Sequence, residues 1–131
     1  MNYRDNAEHC VFCSPDRCLI QENDHAYAVL DKYPLTEGHA LVIPKRHIQR
    51  VEETTLEELN DLFGLVRSAM SKIESEIGKK PDGFNIGIND GEYAGQTIGH
   101  LHVHVIPRFK GDVEDPRGGV RWVLPSKAKY W

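Results

Sequence analysis

The sequence predicts an α+β fold, an antiparallel sheet of about five strands with one long helix. Three observations lead there. Several short segments alternate apolar and polar residues with a period of two, as half-buried strands do. One segment instead repeats apolar residues at three- and four-residue spacing, as an amphipathic helix does. Strand-like segments lie both before and after that helix, with no regular strand–helix alternation.

Residues 18–22 and 25–31 read as a hairpin that turns at Asn23 and Asp24. Residues 39–44 form a short buried strand. The helix follows, with Leu56, Leu59, Phe63, Val66, Met70, Ile73 and Ile77 on one stripe. Thr54 and Thr55 each stand three residues before a glutamate, Glu57 and Glu58, the spacing of a capping box. Gly78 is the expected stop. The stripe suits packing against the core or a second copy of the chain. Residues 84–89 form the next strand. A loop with Gly91, Gly95 and Gly99 leads to the last strand, residues 100–106, which Pro107 is expected to close. The chain reads as one domain over residues 1–131, with a short N-terminal element, a core at about 10–110 and a tail at 111–131. Glycine, proline and charge predict looser order in the tail. Its Trp122, Tyr130 and Trp131 would nonetheless be costly to expose together.

Of the 131 residues 40% are hydrophobic, enough for a real core. No apolar run approaches the ~20 residues of a membrane span, and the polar first ten residues carry no signal-peptide pattern. A cytoplasmic location is the expectation, with no membrane partner. Cys10, Cys13 and Cys18 make an odd count, which argues against a disulfide framework. Sixteen basic and twenty acidic residues give a net charge of −4, and no basic run is long enough to track a nucleic-acid polymer. A nucleotide-sized ligand needs only a local pocket.

The residues that carry chemistry are His100, His102 and His104, alternating with Leu101, Val103 and Val105. On one strand the three imidazoles face one way, ~6.8 Å apart. Two adjacent ones can chelate an ion. All three cannot easily do so, because the outer pair are ~13 Å apart at the backbone. The other use is nucleophilic catalysis by one neutral imidazole, its neighbours orienting it and holding substrate oxygens. Crowding makes it costly to protonate all three, so at least one stays neutral near pH 7. Cys10 and Cys13 have the spacing of half a metal site. His47 and His100 are candidates to complete it. A reduced pair packing the N-terminal segment is the plainer alternative.

The run His100-Leu101-His102-Val103-His104-Val105-Ile106 resembles the signature of the histidine-triad (HIT) family. Other segments match the family in the same order. They are Cys10-Val11-Phe12-Cys13, Gly38-His39-Ala40-Leu41-Val42-Ile43-Pro44-Lys45, Asn89-Asp90-Gly91 and Ala94-Gly95-Gln96-Thr97. The resemblance implies a HIT-like fold, a homodimer and a nucleotide hydrolase that cleaves at the α-phosphate through a nucleotidyl-histidine. His102 would attack, His104 would contact phosphate oxygens and His100 would buttress the ring, with His39 behind them. Gln96 and Thr97 would contact phosphate and leaving group, Asn89 would lie on the phosphate side, and Asp31 would hold the ribose. Some members bind structural zinc with the set that Cys10, Cys13, His47 and His100 match here; the chemistry itself requires no cofactor.

Glutamine stands at the third triad position in the nucleotidyltransferase branch, so His104 favours hydrolysis. Gln96-Thr97 and Ile106-Pro107-Arg108 look more like the dinucleoside-polyphosphate-cleaving branch, with diadenosine tetraphosphate as the type of purine nucleotide substrate and Arg108 reaching extra phosphates. The alternatives are a purine nucleoside phosphoramidase and a nucleotide-binding interaction module with weak catalysis.

Overall fold

A computed structural model describes residues 10–13 and 19–131. The elements are β1 (Leu19–Glu22), β2 (Ala26–Leu30), β3 (Ala40–Pro44), α1 (Leu56–Ile77), β4 (Gly83–Gly87) and β5 (Val103–Arg108). The five strands form one antiparallel sheet in the order β1-β2-β3-β5-β4. Most of the expected N-terminal element, and Cys18, lie outside the described residues. Among the described residues no helix is long and apolar enough to cross a membrane.

The hairpin turns where expected, because Asn23 Oδ1 accepts from the N–H groups of His25 and Ala26. Alternation then divides the sheet into two faces. Ala26, Ala28, Ala40, Val42, Leu101, Val103 and Val105 face α1 and pack on Leu62, Leu65, Val66, Ala69 and Ile73. Three alanines on that face let the helix approach the sheet closely. Tyr27, Val29, Leu41 and Ile43 form a second cluster with Phe12. His39 and His104 share the parity of Leu41 and so belong to this second side.

The helix has the expected ends. Thr55 Oγ1 accepts from Glu58 N–H, the Glu58 carboxylate accepts from Thr55 N–H, and Gly78 ends the helix at φ 72°. The buried stripe is rotated from the one expected. Leu62, Leu65 and Ala69 lie at its centre, whereas Leu56 and Phe63 sit on its rim and are exposed. Glu58 is buried on this helix, and its carboxylate is held by the Arg46 guanidinium at 2.7 and 2.9 Å. That pair holds Glu58 well below the usual carboxylate range, at about 2.

Two strand limits differ from expectation. β5 begins at Val103, so His100 and His102 precede it, and it runs through Pro107 to Arg108. Pro107 is tolerated because β3 pairs with β5 only as far as Ala40↔Val105. Its missing N–H therefore breaks no ladder bond on that side. The tail is ordered. It folds into two short 3-10 helices, Gly119–Val123 and Pro125–Lys127. Arg121 Nε and Nη2 donate to the carbonyls of Ala128 and Lys127 at 2.8 Å, and Trp122 Nε1 donates to Arg117 O at 2.8 Å. The expectation of loose order gives way to these bonds. A Cβ on Gly118 would meet Trp122 and Trp131 at 3.1 and 3.2 Å, and its φ of 98° suits glycine alone.

Candidate active site and metal centre

The turn before β3 supplies His39. A Cβ on Gly38 would lie 2.8 Å from Ile73 Cγ2, and φ there is 87°. Glycine lets this turn settle onto α1, and His39 N–H closes it on Thr36 O. The segment before β5 supplies His100 and His102, held by Leu101 N–H on Ile48 O at 2.7 Å. β5 supplies His104, whose ring lies 5.2 Å from those of both His102 and His39.

A neutral imidazole carries one proton, so a partner at one nitrogen decides the role of the other. His102 Nδ1 faces the His100 carbonyl at 2.8 Å and must donate. Its Nε2 is left with the lone pair. Leu35 N–H donates to His39 Nδ1 at 3.1 Å, so the His39 proton sits on Nε2. From there it donates to His104 Nδ1 at 3.0 Å. His104 in turn carries its own proton on Nε2. Neighbouring rings are thus set in opposite tautomers, one with a bare Nε2 lone pair and one with an Nε2–H donor.

Burial keeps these rings neutral. Desolvation depresses the pKa of His39, partly opposed by Asp31, and that of His102, partly opposed by its bond to the His100 carbonyl and then by Asp31. For His104, desolvation together with the neighbouring His102 and His39 pushes the value down to about 4.

His100 does not join a row of three. Its ring is fully buried and turned away, with Nε2 donating to Pro44 O at 2.7 Å. Nδ1 then faces Cys10 Sγ at 3.3 Å and Cys13 Sγ at 3.5 Å, while His47 Nδ1 lies 3.1 Å from Cys13 Sγ. All four ligand atoms lie within 4.8 Å of one another. Tetrahedral zinc with Zn–S of ~2.3 Å and Zn–N of ~2.0 Å needs ligand separations of about 3.6 Å. The donor set and the His100 tautomer both fit such an ion. Burial and the neighbouring Cys10 hold the Cys13 thiol up at about 11, so without a metal this thiol stays protonated.

Asp31, His39 and His104 also bring three ligand atoms within 4.8 Å. Here the hydrogen bonds do not suit a metal. His39 Nε2 would have to face the ion, yet the Leu35 N–H requires the proton to be there. Asp31 Oδ1 accepts from Tyr33 N–H at 2.9 Å, and Oδ2 lies 3.4 Å from His39 Nε2.

The remaining expected residues divide. Thr97 is exposed on the glycine loop, and Asn89 is half-buried beside a chamber of about 850 Å³. Gln96 was expected on phosphate but is buried. Its Oε1 accepts from Gly91 N–H, and its Nε2 donates to the carbonyls of Gln49 and Ile98. It shapes the loop from behind. Arg108 was expected to reach phosphates, but its guanidinium forks onto Asp112 at 2.7 and 2.8 Å and donates to Asn85 Oδ1 at 2.7 Å. The acid four residues on satisfies it. Phe12 was not anticipated. It is buried, edge-on to His102 at 5.1 Å, and its carbonyl accepts from the Tyr27 hydroxyl. A phenylalanine between two candidate ligand cysteines was the available signal.

Residues 14–111 match the family model described as HIT domain. The chain is 44% identical over 88 residues to the bis(5'-nucleosyl)-tetraphosphatase [asymmetrical] of Schizosaccharomyces pombe, covering 67% of this chain and 47% of that one. It is similar to the crystal structure of a HIT family protein from Bacillus anthracis, with TM-score 0.73 and 38% identity, covering 82% of this chain and 78% of that one. It is also similar to a zinc-bound histidine triad family protein from Mycobacterium smegmatis, with TM-score 0.72 and 34% identity, covering 82% and 80%.

The depressed imidazoles have a stability consequence. Unfolded, His104 titrates near ~6.5; folded, it does so at about 4. Between these values the unfolded chain binds more protons, so stability falls as pH drops through that window. Denaturant midpoints should decline from pH 7 to pH 5, and decline less steeply in His104→Gln. Equal slopes in the two proteins would contradict the assignment.

Proposed function

The chain belongs to the HIT domain family, and from that premise we propose that it hydrolyses nucleotides through a covalent nucleotidyl intermediate on His102. The observation that carries this reading is the His102 Nδ1–H bond to the His100 carbonyl, which leaves Nε2 as a neutral nucleophile. Nε2 attacks the α-phosphorus, the bond from phosphorus to the leaving group breaks, and that group departs with the electron pair. His104 Nε2–H, aligned by His39, stabilises the charge gathering on the phosphate oxygens. Water then attacks phosphorus, the P–N bond breaks, and the nucleoside monophosphate leaves as water's proton passes to solvent. Asn89 and Thr97 border the phosphate in this reading, and Asp31 holds the ribose while biasing the imidazoles.

The substrate class we propose is a dinucleoside polyphosphate such as diadenosine tetraphosphate, supported by the name of the Schizosaccharomyces pombe relative. Purine nucleoside phosphoramidates are the second reading. The commitment of Arg108 to Asp112 favours it, since that guanidinium is spent before any polyphosphate arrives.

Cys10, Cys13, His47 and His100 would hold zinc in a structural role, tying the N-terminal turn to His100 and so to the carbonyl that orients His102. We further propose a homodimer. Leu56 and Phe63 are exposed on the rim of α1, and β4 leaves one edge of the sheet unpaired among the described residues.

His102→Ala should lower turnover by about 10³-fold or more, while acid-free quenching traps labelled nucleotide on the wild type alone. Unchanged turnover would remove His102 as nucleophile. For the metal and the assembly, sedimentation should give a dimer and elemental analysis of it about one zinc per chain. Metal-free protein prepared without chelator contradicts the zinc centre, and a monomer at micromolar concentration contradicts the dimer.

A further inference from the structure

The chamber of about 850 Å³ beside His104 is walled on one side by β4 and on the other by the C-terminal segment. That second wall, residues 112–123, lies beyond residues 14–111 that match the HIT domain model. It belongs to the C-terminal tail, residues 111–131. Resting on the hydrolase reading above, we propose that the chamber receives the second nucleoside of a dinucleoside polyphosphate, and that the tail is the element selecting it.

Position comes first. His104 and Asn89 lie in the lining, so the chamber opens directly from the reacting phosphate. A group on the far side of the phosphate chain can enter it while His102 faces the α-phosphorus.

Wall chemistry then selects the occupant. Ile86, Val120 and Val123 present apolar side chains that the fold leaves uncovered. Among the described residues the cation in the lining is Arg108, and it is closed onto Asp112. Asp115 is closed onto Arg117 at 2.9 Å. Such walls give bare phosphates no open cation to pair with. They give the flat apolar faces of a nucleobase a surface to pack on.

The tail wall is also held by its own bonds. The segment is latched by Arg121 on two carbonyls and by Trp122 on a third, with the Arg121 guanidinium 5.0 Å from the Tyr130 ring and that of Arg117 4.6 Å from the Trp131 ring. A wall already ordered costs little further entropy when a ligand packs against it.

The test compares diadenosine tetraphosphate with adenosine 5'-tetraphosphate, which carries the same four phosphates and lacks the second nucleoside. In wild-type enzyme kcat/KM should favour the dinucleoside by about tenfold or more, on the scale of one stacked base. Val120→Asn and Val123→Asn change exposed side chains and should bring that ratio close to one. A wild-type ratio near one, or a ratio unmoved by both variants, overturns the inference while the hydrolase reading stands. If neither compound is cleaved, the polyphosphate substrate class fails and takes this inference with it, whereas cleavage of an adenosine phosphoramidate would keep the hydrolase reading.

Discussion

A neutral imidazole has one proton and two nitrogens, and the site depends on where two backbone groups place that proton. The His100 carbonyl draws it to Nδ1 of His102. The Leu35 N–H excludes it from Nδ1 of His39, and His39 passes the same preference to His104. Much of the surrounding structure serves this arrangement. The Leu101–Ile48 backbone bond fixes the segment carrying His100 and His102. The Gly38 turn fixes His39, and β5 fixes His104. Because the partners are backbone atoms, the tautomers are set by the fold before a ligand arrives, which is the condition for electrostatic preorganisation.

Backbone partners also separate two clusters that composition alone would treat alike. At His100 the backbone partner takes Nε2–H and leaves Nδ1 bare toward two thiols and His47, an arrangement that suits a metal. At His39 the backbone partner is a donor, and the nitrogen facing Asp31 and His104 keeps its proton. Phe12 lies between the two centres, since it belongs to the Cys10–Cys13 turn and packs edge-on against His102. Order in the Cys10–Cys13–His47–His100 cluster and order around His102 therefore share a physical connection.

Much of the fold was legible in the sequence because side-chain parity is local. Alternation assigned Leu101, Val103 and Val105 to the core and His104 to the opposite side, and capping-box spacing marked the helix start. What alternation could not show was where the strand begins. His100 stands outside β5, and its ring turns to the cysteines while its carbonyl does the orienting. The apolar spacing marks the correct helical segment but an off-centre stripe, because Leu56 and Phe63 share its apolar character without facing the sheet. Gln96 and Arg108 have the residue types expected of phosphate contacts. Gly91, Gln49 and Ile98 occupy one, and Asp112 the other. Pairings of that kind depend on tertiary proximity and leave little trace in spacing. The tail misled for the reverse reason. Its glycines suggested looseness, whereas at Gly118 they permit the close approach of Trp122 and Trp131.

The fold sets opposite tautomers on adjacent imidazoles, and imidazole nitrogen NMR reads this directly. On ¹⁵N-labelled protein at pH 7, long-range nitrogen–proton correlation should give His102 the pattern of an Nδ1–H ring and His104 that of an Nε2–H ring, both neutral. Assignment follows from the loss of each pattern in His102→Ala and His104→Gln. Finding His102 as the Nε2–H tautomer, or both rings in one tautomer, would contradict this assignment, because His102 Nε2 would then carry a proton or the Nε2–H donor of His104 would be lost.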